Sequence, residues 1–62
     1  MPSETMIMIV NANTYPTSSS AKAEAERAAL QGHKFAISAT AIEGQLVRNY
    51  WRITVKVEVV KR

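Results

Sequence analysis

From Trp51 to Val60 apolar and polar residues alternate: Trp51, Ile53, Val55, Val57 and Val59 fall on one side, Arg52, Thr54, Lys56 and Glu58 on the other. A period of two marks a β-strand with one dry face and one wet face. The dry face has to be covered, so this segment commits the chain to a sheet with another layer packed on it.

The remaining segments supply that sheet and layer. Thr5 to Val10 reads as a first strand, but Met6, Ile7, Met8, Ile9 and Val10 are apolar in both registers. A strand of this kind expects both faces to be covered. Asn11 to Ser20 is a polar connection, and Pro16 disfavours helix at Tyr15, so a helix begins after it. Such a connection is long for a small domain, and long loops are often functional. Thr17, Ser18 and Ser19 are candidate N-caps, and the helix runs from about Ser18 to Gln31. Alanine is the best helix former; Ala21, Ala25, Ala28 and Ala29 form a small-residue stripe beside Leu30. Gly32 is placed to end the helix, with His33 and Lys34 favourable at its C-terminus.

Lys34 to Ile42 reads as a second strand, with Phe35, Ile37, Ala39 and Ala41 on one face and Lys34, Ala36, Ser38, Thr40 and Ile42 on the other. Gly44 marks a turn, and Gln45 to Asn49 reads as a loop or wide hairpin. The expected fold is α+β, in the order β-α-β-β: one helix on a three-stranded, mainly antiparallel sheet of spatial order 1-3-2. The helix is expected to cover Ile7, Ile9, Phe35, Ile37, Trp51, Ile53, Val55 and Val57. The opposite face would then expose Met6, Met8, Val10, Ile42 and Val60 beside Arg52 and Lys56.

Size makes that exposure informative. The 62 residues allow one domain, residues 1–62. A chain this short buries only ~60% of its unfolded surface, and small domains usually need a disulfide, a metal or a partner chain. There is no Cys and no Asp, and only one His, which leaves self-association or another partner as the staple and no expected metal or cofactor. The N-terminal apolar run has no basic segment before it and no cleavage site after it, and it is too short to span a bilayer. The expectation is a soluble cytoplasmic protein that does not engage a membrane.

Catalysis has little to draw on. His33 has no Asp to orient it and no Cys to pair with it, and reads as a helix-end residue. The serines at 18–20 read as caps, since no nucleophile-elbow motif surrounds them. Glu24 and Glu26, two apart on a helix, do not share a face. Gly32 and Gly44 are the only glycines, so there is no phosphate-binding loop. A non-enzymatic protein is expected.

Binding is better supported. Exposed apolar patches mark contact surfaces, and an open sheet edge invites strand addition. The first strand is the natural docking edge, with Met6, Met8, Val10, Ile42 and Val60 as the expected protein-contact residues and a homodimer or another protein as partner. The alternative is nucleic acid. The net charge is +3, and Lys34, Arg48, Arg52, Lys56 and Arg62 all lie in the second half of the chain, with Tyr50 and Trp51 beside them. Cations with aromatics on a sheet can hold phosphates and stack bases.

The pieces "SAKAEAERAALQGHKFAI" and "NYWRITVKV", within Met8 to Val59, resemble the leading half of a SPOR domain, the peptidoglycan-binding module of cell-division proteins. The second helix, the final strand and the glycine-proline ending of that family have no counterpart here, and no site residue is carried over. In size and economy the chain is also similar to accessory proteins of phages and mobile elements, including inhibitors of host defence. The expected function is a small protein-interaction module of that accessory or inhibitor kind.

Overall fold

The computed structural model describes residues 3–60. The elements are β1 (Ser3–Asn11), α1 (Ser18–Gly32), β2 (Ala36–Val47) and β3 (Tyr50–Val59). The strands form one antiparallel sheet in the order β1-β3-β2, as expected, and α1 packs on one face, lying more over β2 and β3 than over β1.

β3 is central because its alternation suits a strand with neighbours on both sides. Ile53, Val55 and Val57 are fully buried beneath the helix, and Val59 nearly so. The helix meets them with Ala21, Ala25 and Ala29, all buried. These small side chains let the helix backbone approach closely but fill little volume. Met6, Met8, Tyr15, Ala36, Ala39, Ala41 and Trp51 supply the rest of the packing around the core.

Pairing with β3 sets the faces of β1, and here the sequence expectation is corrected. Met6 lies opposite Val55, Met8 opposite Ile53 and Val10 opposite Trp51, whereas Ile7 faces Thr54 and Ile9 faces Arg52. Directly opposed residues share a face, so Met6, Met8 and Val10 are on the helix side and Ile7 and Ile9 on the open side. Val10 is 6% exposed, against 47% for Ile7 and 60% for Ile9. The physical reason is register: a strand apolar in both registers does not choose its own face, and a one-residue slip inverts every side chain.

β2 also departs from expectation. It continues through Gly44 to Val47, with β-bulges between Ala36 and Ser38 and between Ala41 and Glu43. Each bulge inserts a residue, Ile37 and then Ile42, and shifts the alternation. Phe35 precedes the strand and, like Ile37, is about half exposed rather than under the helix. Gly44 is a packing glycine, not a turn. A Cβ there would sit 3.0 Å from Ile53 Cδ1 and 3.3 Å from Lys22 Cε, where the first turns of α1 come down on β2.

The connections are held by local hydrogen bonds. The Thr17 hydroxyl caps α1 by accepting from the Ser20 N–H at 3.1 Å. The helix ends in His33 with extended backbone, φ −117°, so Gly32 stays helical and no left-handed glycine cap forms. In the β1–α1 connection, Asn11 Oδ1 accepts from the Asn13 N–H at 2.7 Å and the Asn11 carbonyl from the Tyr15 N–H at 3.0 Å. Trp51 Nε1 then donates to the Tyr15 carbonyl at 2.9 Å, fixing the connection to β3.

The β2–β3 hairpin turns on Arg48 and Asn49, and Arg48 has φ 57°. Left-handed backbone costs an ordinary L-residue about 1–2 kcal/mol, and asparagine tolerates it better. Arg48→Asn is therefore expected to stabilise the domain by about 0.5–1 kcal/mol, read as a higher urea midpoint. An unchanged midpoint would show that the turn stores no strain.

Candidate interaction surface

The two edges of the sheet differ. The Ala12 N–H donates to the Asn49 carbonyl at 2.9 Å, continuing the β1–β3 ladder beyond Asn11 and Tyr50. Hydrogen-bonded pairs alternate along an antiparallel ladder. The bonded pairs are therefore Val10 with Trp51, Met8 with Ile53 and Met6 with Val55. The backbone N–H and C=O groups of Thr5, Ile7 and Ile9 consequently point away from β3. Among the described residues, no strand pairs with this edge.

The same alternation explains the other edge. Val55 bonds to β1, so Ala41, opposite Val55 on β2, turns its N–H outward. That N–H donates to Glu26 Oε2 at 2.8 Å, a part-buried bond from strand to helix. Two bulges and a carboxylate thus obstruct the β2 edge, as natural sheets commonly protect their edges. β1 has no bulge, and its ladder with β3 runs unbroken from Ser3 to Asn11.

The face away from the helix carries Thr5, Ile7 and Ile9 from β1, Arg52, Thr54, Lys56 and Glu58 from β3, and Ser38, Thr40, Glu43 and Gln45 from β2. Its charges alternate in sign. Ile7, Glu43, Gln45, Arg52 and Thr54 line a depression of about 250 Å³. Glu58 accepts from the Ser38 hydroxyl at 3.2 Å. Next to the unpaired edge, its apolar residues are Ile7 and Ile9.

The expected protein-contact residues do not form one patch. Met6, Met8 and Val10 pack against the core, so Met8→Lys or Val10→Asp would test the fold rather than a surface. Ile42 is exposed at a bulge of β2, and Val60 is exposed beyond β3, its N–H donating to the Phe35 carbonyl at 2.9 Å. The residues that sequence reasoning misplaced are Ile7 and Ile9. Their signal lies in β3, whose wet residues Arg52 and Thr54 stand opposite them.

The basic residues are also separated. Arg52 and Lys56 share the open face. Lys34 lies in the turn between α1 and β2, its Nζ 5.7 Å from the Phe35 ring centroid. Arg48 is at the hairpin tip. Lys34 precedes β2 and Arg48 follows it, and β2 runs alongside β3 from Val59 to Tyr50, which separates its ends by ~30 Å. Arg62 lies outside the described residues.

His33 does more than end the helix. Its Nε2 is 3.0 Å from Glu4 Oε1, linking α1 to β1, while its buried Nδ1 has no partner among the described residues. On the outer helix face Arg27 donates to both carboxylate oxygens of Glu24, at 2.8 and 2.9 Å. The hydrogen bond and the charge of Glu24 raise the Arg27 pKa. Among the described residues no cluster of three or more metal-binding side chains occurs, and no helix is long and apolar enough to cross a membrane.

No protein-family model matches the chain, SPOR included, and comparisons with curated proteins and with solved structures find no match.

Proposed function

We propose that the chain is a non-enzymatic protein-interaction module that captures an extended segment on the free edge of β1. The observation that carries this reading is the asymmetry between the two sheet edges. The β1 edge offers unpaired backbone groups at Thr5, Ile7 and Ile9 and exposed isoleucines beside them. Glu26 and the bulges obstruct the β2 edge. In strand addition, main-chain hydrogen bonds give affinity and alternate side chains give specificity, and β1 offers both. An accessory or inhibitor role of the kind found in phages and mobile elements, exercised in the cytoplasm, is part of this proposal and rests on the economy of the chain.

Nucleic-acid binding is the second reading, supported by Arg52 and Lys56 on one exposed face. Glu43 and Glu58 stand among these cations on the same face and weaken its pull on phosphates.

One comparison separates the readings. Capture from extract of the source cells by the wild-type chain is set against Ile9→Lys and against the double variant Arg52→Glu with Lys56→Glu. The edge reading expects Ile9→Lys to lose the captured protein and the charge variant to keep it. In parallel, amide spectra with a random-sequence DNA duplex at low and moderate salt should show no shift along Arg52 to Val59. Salt-sensitive shifts there that the charge variant abolishes, with capture indifferent to Ile9→Lys, would transfer the function to nucleic acid.

A further inference from the structure

We infer that the segment seated on the β1 edge is β1 of a second copy of this chain, paired antiparallel across a two-fold axis to make one continuous six-stranded sheet. This rests on the edge reading above and names its occupant. An isologous contact requires a self-complementary surface, and β1 provides one. Residues with outward backbone groups are the odd-numbered ones from Thr5 to Ile9. An axis normal to the sheet always opposes odd residues to odd residues, so outward-pointing backbone groups of the two copies face one another in any such register.

Side chains choose among the registers. With Met8 on the axis, Ile7 opposes Ile9 of the second copy on the open face, and Met6 opposes Val10 of the second copy on the helix face. Thr5 then opposes Asn11 of the second copy at each end, where the Asn11 carbonyl already accepts from the Tyr15 N–H, so the full exchange of backbone hydrogen bonds is between Ile7 and Ile9. Every central pair is apolar, and β-branched cross-strand pairs of this kind stabilise a sheet. Moving the axis to Ile7 would set Glu4 against Val10 of the second copy; with the axis at Met8, Glu4 falls outside the paired strands. There it keeps its contact with His33 at 3.0 Å. The paired stretch contains no charged residue on either copy, so the net charge of +3 per chain is not brought to the contact.

The geometry of α1 adds to the burial. Because the helix lies over β2 and β3, Met6 and Met8 remain partly exposed on the helix side of β1. The two-fold places Met8 beside Met8 of the second copy and Met6 beside its Val10, so apolar surface is covered on both faces of the joined strands. The paired stretch of about seven residues is ~23 Å long, a contact at the small end of specific interfaces and one that dissociates in the micromolar range.

The test is sedimentation of the full chain from about 1 μM to about 1 mM, with amide exchange measured by NMR across the same series. The expected result is a monomer–dimer equilibrium in which the amides of Ile7 and Ile9 become protected as concentration rises. Ile9→Lys, on an exposed side chain, should weaken association by at least about tenfold, with the α1 and β2 spectra unchanged and the monomer's β3 shifts confined to the surroundings of Arg52, its cross-strand partner. Ile9→Pro, which removes an N–H that the β1–β3 ladder does not use, should do the same. A chain that stays monomeric throughout, or a dimer that survives both variants, overturns the inference. If the chain is monomeric and Ile9→Lys still loses the captured protein, only the second copy is wrong and the edge reading stands. If neither self-association nor capture depends on Ile9, both fall.

Discussion

Ile53→Ala is expected to remove about half or more of the stability of the domain. Ile53 is fully buried at the middle of β3, with Met8 opposite it on β1 and Gly44 opposite it on β2. Truncating a buried isoleucine costs about 2–5 kcal/mol, and more where the surroundings cannot collapse into the space. Here they cannot collapse well. Gly44 has no side chain to advance, and the core residues of the helix are alanines. A domain of 62 residues has about 3–9 kcal/mol in total at typical values per residue. Urea unfolding followed by circular dichroism should show the midpoint falling by at least half, or no folded baseline. A midpoint close to wild type would mean that the core is not organised around β3.

Glu26→Ala is the second large effect, and it reaches beyond stability. The Ala41 N–H, turned outward by the alternation of the β3 ladder, loses the carboxylate that accepts from it. Losing a part-buried hydrogen bond to a carboxylate at a sheet edge, where water can reach the freed donor, costs about 1–2 kcal/mol. Glu26→Gln keeps an oxygen at the same place and should recover most of the loss, which separates the hydrogen bond from the charge. The alanine variant should also exchange the Ala41 amide faster and aggregate more readily, because a carboxylate no longer obstructs the β2 edge. Equal stability of the alanine and glutamine variants would sink this account.

The sequence made β3 legible because one of its faces is wet and the other dry, and with β3 came the central strand and the sheet order. β1 was legible as a strand but not as a surface. Its five successive apolar residues carry no parity of their own, so Ile7 and Ile9 could be placed only once the pairing with Thr54 and Arg52 was known. β2 was misread for a different reason. Bulges at Ile37 and Ile42 interrupt its alternation, and Gly44, which looks like a turn, lies inside the strand, where a Cβ would crowd the Ile53 and Lys22 side chains. Adjacency along the chain also misled: Lys34 and Arg48 fall in one basic half of the sequence but at opposite ends of a long strand. The bond between Glu26 and Ala41 left no trace in the sequence, because it depends on which backbone groups β3 has already engaged.

The position of β3 also sets an order of events during synthesis. The strand to which both others bond is the last of the four elements to be made. Until it emerges, β1 and β2 have no partner, since neither bonds to the other. The helix, whose buried side chains are alanines, has no dry surface to lie on. A nascent chain elongates at about 5–20 residues per second, so for some seconds the apolar run from Met6 to Val10 is made but has nothing to cover it. The strand proposed to recruit a partner in the finished protein is therefore also the one that waits longest for its own.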